Sequence, residues 1–120
     1  MSGPAAAMPA ISGRTRLFGI VGDPIAQVGS PGAFNPRIAA LGADAVLVPL
    51  HVPAASFETA MAGLMRLGNL DGLLVTVPFK QRALPLADRV CPVAALVGAA
   101  NALRRDADGR WTADMFDGVG

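Results

Sequence analysis

The sequence predicts an α/β domain, a three-layer sandwich in which helices flank a mainly parallel sheet. Three short and almost entirely apolar runs, at 17–21, 45–50 and 72–77, have the length of buried strands. Strands that are apolar without alternation are typical of a parallel sheet that is covered on both faces. The segments between the runs have helical patterns, and strand–helix–strand alternation implies right-handed crossovers between parallel strands.

The first strand, 17–21, is followed by a Gly-Asp-Pro sequence that favours a turn. A helix is predicted over 31–41, because Ser30 is a good N-cap residue and Pro31 suits the first helical position. Gly42 fits the end of this helix, where glycine is the most common residue.

After the second strand, 45–50, a helix is predicted over 54–67. Its apolar residues recur at intervals of three and four and define one face: Phe57, Met61, Leu64, Met65 and Leu67. Gly68 ends this helix before the third strand, 72–77, which Pro78 closes.

The last third of the chain is less regular. Short helices are predicted over 80–87 and 92–97. The runs 101–105 and 110–113 flank a polar connection that contains Asp-Gly, and this pattern predicts a β-hairpin.

Composition excludes several classes of function. A chain of 120 residues with 52% hydrophobic and 16% charged residues fits one packed domain. A net charge of +1 with scattered basic residues offers no electrostatic basis for binding nucleic acid or a membrane surface. No apolar run approaches the ~20 residues that a membrane-spanning helix needs. We therefore expect neither a nucleic-acid partner nor a membrane partner.

Cysteine and histidine are scarce. Cys91 is the only cysteine, so no internal disulfide can form, and the only histidine, His51, has no metal-ligand spacing around it. We expect no metal site. Residues 1–13 contain no charged side chain and are rich in Ala, Pro, Gly and Ser. They lack the basic start of a signal peptide. We interpret them as a flexible tail on a cytoplasmic protein whose domain covers 14–120.

Lys80 is the first candidate for chemistry. It follows Pro78, and this places it at the carboxyl end of a strand, where open α/β sheets bind ligands. Thr76 supplies a hydroxyl near the same end. A positioned base is needed to remove a hydroxyl proton when an alcohol is oxidised, and a lysine can serve. A lone lysine after a strand is, however, also typical of a solvated helix start.

Asn101 and Asp117 are the other polar candidates. An Asn side chain offers a donor and an acceptor to a substrate hydroxyl, but it is also typical of a turn that bonds its own backbone. An Asp before Gly118 can orient a lysine, and it is likewise a common turn residue. The residue types alone leave both alternatives open.

Four blocks, taken together, carry a family resemblance. They read GDPIAQVGSP at 22–31, VTVPFK at 75–80, GAAN at 98–101 and DMFDGVG at 114–120. In this order and spacing they resemble the substrate-binding half of shikimate dehydrogenases, which transfer a hydride between NADP and an alicyclic hydroxy acid. The resemblance covers about 17–120 and implies the α/β fold of that domain.

The resemblance implies a role for each matching residue. Lys80 and Asp117 match the catalytic pair, with Asp117 orienting the lysine. The residues that match substrate contacts are Ser30, Thr76, Lys80, Asn101 and Asp117. No G-x-G-x-x-G sequence follows a strand, so no cofactor-binding residue is expected in the chain. NADP, or NAD as in a quinate-type enzyme, would be bound by a further domain beyond Gly120. The 120-residue chain alone is expected to be inactive. Its expected oligomeric state is a monomer or a homodimer.

Five positions depart from the family pattern towards apolar side chains: Val28, Phe34, Leu74, Met115 and Phe116. Val28 replaces one of two serines that bind the substrate carboxylate, and Ser30 retains the other. We expect the partner to be a small hydroxy acid, either shikimate with 3-dehydroshikimate or a related, less polar acid. The alternative is a non-catalytic module that binds a small carboxylic acid or a protein.

Overall fold

The computed structural model describes residues 10–116, which form six strands and four helices around one sheet. The strands are β1 (Arg16–Gly22), β2 (Ala45–His51), β3 (Leu70–Val75), β4 (Arg89–Val90), β5 (Ala102–Arg105) and β6 (Trp111–Asp114). The helices are α1 (Ser30–Ala40), α2 (Phe57–Leu64), α3 (Lys80–Ala83) and α4 (Pro92–Val97). Single 3₁₀ turns, Ala54–Ser56 and Leu84–Leu86, adjoin α2 and α3.

The strand order is β2-β1-β3-β5-β6-β4. Strand β1 lies parallel to both β2 and β3, and β4 lies parallel to β6. Strand β5 runs antiparallel to its neighbours β3 and β6. The predicted α/β class with a mainly parallel sheet is therefore confirmed. No helix within residues 10–116 has the length and apolar character to cross a bilayer.

The hairpin of β5 and β6 was predicted correctly. Its connection closes on hydrogen bonds from the Asp106 N–H to the Arg110 carbonyl (2.7 Å) and from the Gly109 N–H to the Asp106 carbonyl (2.9 Å). Gly109 has φ of +88°, a conformation that side chains with a Cβ rarely adopt.

Several predicted boundaries were wrong, among them the end of the helix predicted over 54–67, since α2 ends at Leu64. Ser30 is not the N-cap: α1 begins at Ser30 itself, because the Gly29 carbonyl already accepts the Ala33 N–H at 3.2 Å. The third strand ends at Val75 rather than 77, because the Thr76 carbonyl turns to accept the Phe79 N–H at 3.0 Å. Thr76 thus lies just beyond the sheet.

The core lies between the sheet and α2 with α3. Phe57 and Phe79 are completely buried and stack with ring centroids 4.1 Å apart. Arg82 lies over both rings, 5.0 and 5.4 Å from their centroids, and pairs with Glu58 at 2.6 Å. The stack therefore joins α2 to the start of α3, with a guanidinium closing its outer side.

An amide clamp holds α1 to the outermost strand on the other face. The Asn35 Nδ2 donates to the Leu47 carbonyl and its Oδ1 accepts the Leu47 N–H, both at 2.8 Å. Because β2 has a neighbour on one side only, these backbone groups of Leu47 have no strand partner. The side chain of Asn35 satisfies both of them.

A charged network secures β4. Arg89 pairs with Asp106 and Asp108, and Arg104 bridges Asp106 to Asp114. The Arg89 guanidinium lowers the pKa of Asp108 to about 2. The Arg89 pairs link the two-residue strand to the connection of the hairpin.

We expect Phe57→Ala to lower the free energy of unfolding by about 3–5 kcal/mol, because it removes a fully buried ring and half of the stack. Urea unfolding, followed by the fluorescence of Trp111, the only tryptophan, measures this. The matched control is Phe34→Ala, since Phe34 is 43% exposed and its loss should cost about 1 kcal/mol or less. Equal losses in both variants would contradict the assignment of the core.

Candidate functional site

The candidate site lies at the carboxyl ends of β1 and β3, which are neighbours in the sheet. The Thr76 N–H donates to the Val21 carbonyl at 3.0 Å, and the Asp23 N–H donates to the Val77 carbonyl at 3.3 Å. At Gly22, a Cβ would meet the Thr76 Cγ2 at 2.6 Å. The glycine therefore lets the two segments approach closely.

Lys80 opens α3 and is half-buried. Its backbone is held on two sides: Phe79 before it is completely buried, and the Lys80 carbonyl accepts the Ala100 N–H at 2.8 Å. The side chain borders a depression of about 320 Å³, which is lined by Val77, Pro78, Lys80, Gln81 and Ala99. None of the ion pairs among residues 10–116 involves Lys80.

Lys80 is also the only lysine in the chain, since the other nine basic residues among the ten Lys and Arg are arginines. A guanidinium stays protonated throughout the physiological pH range, whereas an amine can give up and take back a proton. Among the basic side chains of this chain other than the lone histidine, only Lys80 can therefore act as an acid–base group.

Asn101 lies between the end of β3 and the segment that follows β6. Its Nδ2 donates to the Phe116 carbonyl at 2.7 Å, and its Oδ1 accepts the Phe116 N–H at 2.8 Å. Each of these atoms keeps one further hydrogen-bonding position, one hydrogen on Nδ2 and one lone pair on Oδ1. The predicted substrate contact and the alternative role as a backbone-bonding residue are thus compatible.

The remaining site candidates are less closely connected. Ser30 is half-buried at the start of α1, and its side chain makes no capping hydrogen bond. Thr76, Lys80 and Asn101 lie on segments linked by backbone hydrogen bonds, whereas no hydrogen bond joins Ser30 to them within residues 10–116. Asp117, the second member of the predicted catalytic pair, lies outside the described residues, as do residues 1–9 of the predicted tail.

The apolar departures divide into two groups. Phe34 and Leu74 line an apolar cleft beneath α1, together with Phe18, Ile38 and Leu47. The cleft and the Lys80 depression share no lining residue among those that the structure describes. The other three departures lie elsewhere: Val28 follows β1, and Met115 and Phe116 follow β6. The expectation of a less polar substrate therefore rests on these three positions.

Sequence reasoning missed the pair of Asp23 and His51. The His51 Nε2 lies 3.0 Å from the Asp23 Oδ1, and the Asp23 Oδ2 accepts the Ala54 N–H at 3.0 Å. The hydrogen bond to His51, followed by that from Ala54, lowers the pKa of Asp23. The signal for the pair is that Asp23 directly follows β1 and His51 ends the adjacent parallel strand β2, where Gly22 and His51 are in register.

Residues 10–116 contain no group of three His, Cys, Asp or Glu side chains that could hold a metal ion. The same residues contain no glycine-rich dinucleotide loop between a strand and a helix. The site presents a lysine side chain, a hydroxyl and an amide near the carboxyl ends of neighbouring strands. This set of groups suits a small polyhydroxylated molecule.

Polar side chains at the carboxyl ends of parallel strands are typical of α/β domains that bind a ligand there, and comparison identifies the family. Residues 20–103 match the sequence model of the family described as the shikimate dehydrogenase substrate binding domain. The chain belongs to this family.

Relatives support the assignment along most of the chain. A shikimate dehydrogenase (NADP(+)) from Anaeromyxobacter dehalogenans is 50% identical over 99 residues, which are 82% of this chain and 35% of that protein. The enzyme of the same name from Caulobacter vibrioides is 46% identical over 111 residues, 92% of this chain and 39% of that protein. The chain therefore spans less than half the length of these relatives.

A solved structure agrees with the fold. Shikimate 5-dehydrogenase from Listeria monocytogenes, in complex with shikimate and NAD, superimposes with a TM-score of 0.81 at 33% identity. The match covers 89% of this chain and 36% of that chain.

We expect Asp23→Asn to destabilise the chain at neutral pH and to have no effect in strong acid. The lowered pKa of Asp23 means that its stabilising contribution is complete above the ordinary value of about 3.9 and is lost as the pH falls through the folded-state value. Urea midpoints of the two proteins should therefore differ at about pH 6.5 and converge once the pH is below the lowered pKa of Asp23. A difference that is unchanged at low pH would show that the pair does not carry the effect.

Proposed function

We propose that this chain is the substrate-binding half of an NADP-dependent oxidoreductase that interconverts 3-dehydroshikimate and shikimate, or a related, less polar hydroxy acid. The observation that carries the proposal is the placement of the only lysine at the carboxyl end of β3, beside Thr76 and Asn101. The family match and the names of the relatives support the same reaction class.

The chemistry follows from the needs of alcohol oxidation. The substrate hydroxyl must lose its proton while its carbon loses a hydride, so a base has to contact that oxygen. Lys80 is the amine at this edge, and it exchanges the proton. Asp117, which matches the family's acidic residue, orients the ammonium, and Thr76, Asn101 and Ser30 hold the substrate's other hydroxyls and its carboxylate. NADP, or NAD, supplies the hydride acceptor when it is bound.

The cofactor is held outside residues 10–116, because these residues contain no dinucleotide loop. The chain's own contribution is to bind and orient the acid and to move one proton. We place the protein in the cytoplasm, as a monomer or homodimer whose partner is the small-molecule substrate. On this proposal the isolated chain binds substrate but does not turn it over.

We expect shikimate to cause saturable amide NMR shifts at Thr76, Lys80 and Asn101. The amide of Leu47, which Asn35 holds at the far edge of the sheet, serves as the internal control and should not move. Quinate and less polar hydroxy acids are titrated in parallel, and the ligand with the lowest Kd defines the substrate class. Absence of shifts with every acid, in a chain that is folded by its NMR spectrum, would contradict the proposed site.

We also expect Val28→Ser to tighten the binding of shikimate by about tenfold or more, because the added hydroxyl can donate a charge-assisted hydrogen bond to the carboxylate. Ala26→Ser, an exposed change two residues earlier, is the matched control and should leave the Kd unchanged. Unaltered affinity in Val28→Ser would mean that the carboxylate does not lie against this turn.

A further inference from the structure

Asn101 connects the segment that follows β3, which contains Thr76 and Lys80, with the segment that follows β6, which contains Phe116. Its N–H donates to the Asp114 carbonyl at 3.0 Å, and its carbonyl accepts the Val75 N–H at 2.9 Å. Its main chain thus extends the pairing of β5 with both β3 and β6 by one residue before the start of β5. Val75 is the residue before Thr76, so this link reaches the first segment of the site.

The side chain of Asn101 reaches the second segment. Its hydrogen bonds to the N–H and the carbonyl of Phe116 run in opposite directions, at 2.8 and 2.7 Å. A pair of this kind sets both the position and the orientation of the backbone, as a strand partner would. The Phe116 residue is 64% exposed, so burial of the ring is not what holds this segment.

A further hydrogen bond joins the same bridge to Lys80. The N–H of Ala100, which is completely buried, donates to the Lys80 carbonyl at 2.8 Å. Ala100 and Asn101 therefore form a two-residue bridge with Lys80 at one end and Phe116 at the other. In sequence, the residue after Phe116 is Asp117.

We propose that Asn101 is a positioning residue, which holds the chain at Phe116 in a fixed relation to Lys80 and so assembles the pair of Lys80 and Asp117. The inference rests on the proposed function, because it assumes that this pair acts together. It adds to the substrate contact a role that Asn101 exerts through the backbone of another segment. The remaining hydrogen on Nδ2 and lone pair on Oδ1 stay available to the substrate.

The chain contains its own control for a clamp of this type. Asn35 makes the same two hydrogen bonds with the backbone of Leu47, both at 2.8 Å, at the edge strand β2. Asn35→Ala therefore removes an equivalent pair of bonds from a place that has no part in the candidate site. A merely structural role for Asn101 predicts that Asn101→Ala and Asn35→Ala behave alike.

The experiment uses Lys80 as a unique reporter. Reductive ¹³C-methylation of the chain labels one lysine and the terminal amine, so the Lys80 signal is identified by its absence from Lys80→Arg. Asp117→Asn is introduced into the parent, Asn35→Ala and Asn101→Ala, and the displacement of the Lys80 signal is measured in each. We expect the displacement in Asn101→Ala to fall below about half of its parent value, and that in Asn35→Ala to remain.

The two possible negative results have different meanings. If Asp117→Asn does not move the Lys80 signal in the parent, the proposed pair is wrong and the positioning role falls with it. If the displacement persists in full in Asn101→Ala, the pair stands and only the positioning role is overturned. Should the Trp111 fluorescence show Asn101→Ala to be unfolded, Asn101→Gln replaces it, since it is neutral and its longer side chain cannot close both bonds in the same geometry.

Discussion

The stack of Phe57 on Phe79 is the contact on which the candidate site depends. Phe79 is completely buried and directly precedes Lys80, so the packing of one ring decides where the lysine leaves the core. The hydrophobic effect has no direction of its own, but a ring confined between two helices has very few permitted positions. Arg82 covers the stack and bonds the Ala54 carbonyl at 2.9 Å, which ties the entry to α2 to the same cluster. The polar edge of the sheet is thus positioned by apolar packing beneath it.

Asparagine side chains perform a second task in this fold, which is to bond backbone that has no strand partner. Asn35 serves the outer edge of β2, and Asn101 serves the segment beyond β6 where β5 offers no further residue. A primary amide carries one donor group and one acceptor group with the spacing of a peptide, so it can replace a missing strand. In one place the result is a secured helix, and in the other it is a defined approach to the site.

Much of the fold could be predicted from the sequence because burial on both faces leaves an unmistakable apolar run, as in β1 and β2. The bounds of α4 were correct at both ends, since Pro92 and Gly98 mark them, and Gly98 has φ of +77°. Strand β4 escaped prediction because two exposed residues have no pattern, and charges from distant residues hold them. In the site, Lys80 and Thr76 follow from the rule for strand ends. The side-chain bonds of Asn101 and the pair of Asp23 and His51 depend on strand register, which local sequence does not contain.

The clamp on β2 also bears on how copies of this chain can meet. An edge strand with unpaired backbone groups is a template on which another chain can extend the sheet, and this is a common route to aggregation. Here the outward N–H and carbonyl of Leu47 are occupied by Asn35. Pro49 lies two residues on, hence on the same side, and has no N–H to offer. The opposite margin, β4, is two residues long. Within residues 10–116, both edges of the sheet are therefore poor templates for intermolecular strand addition.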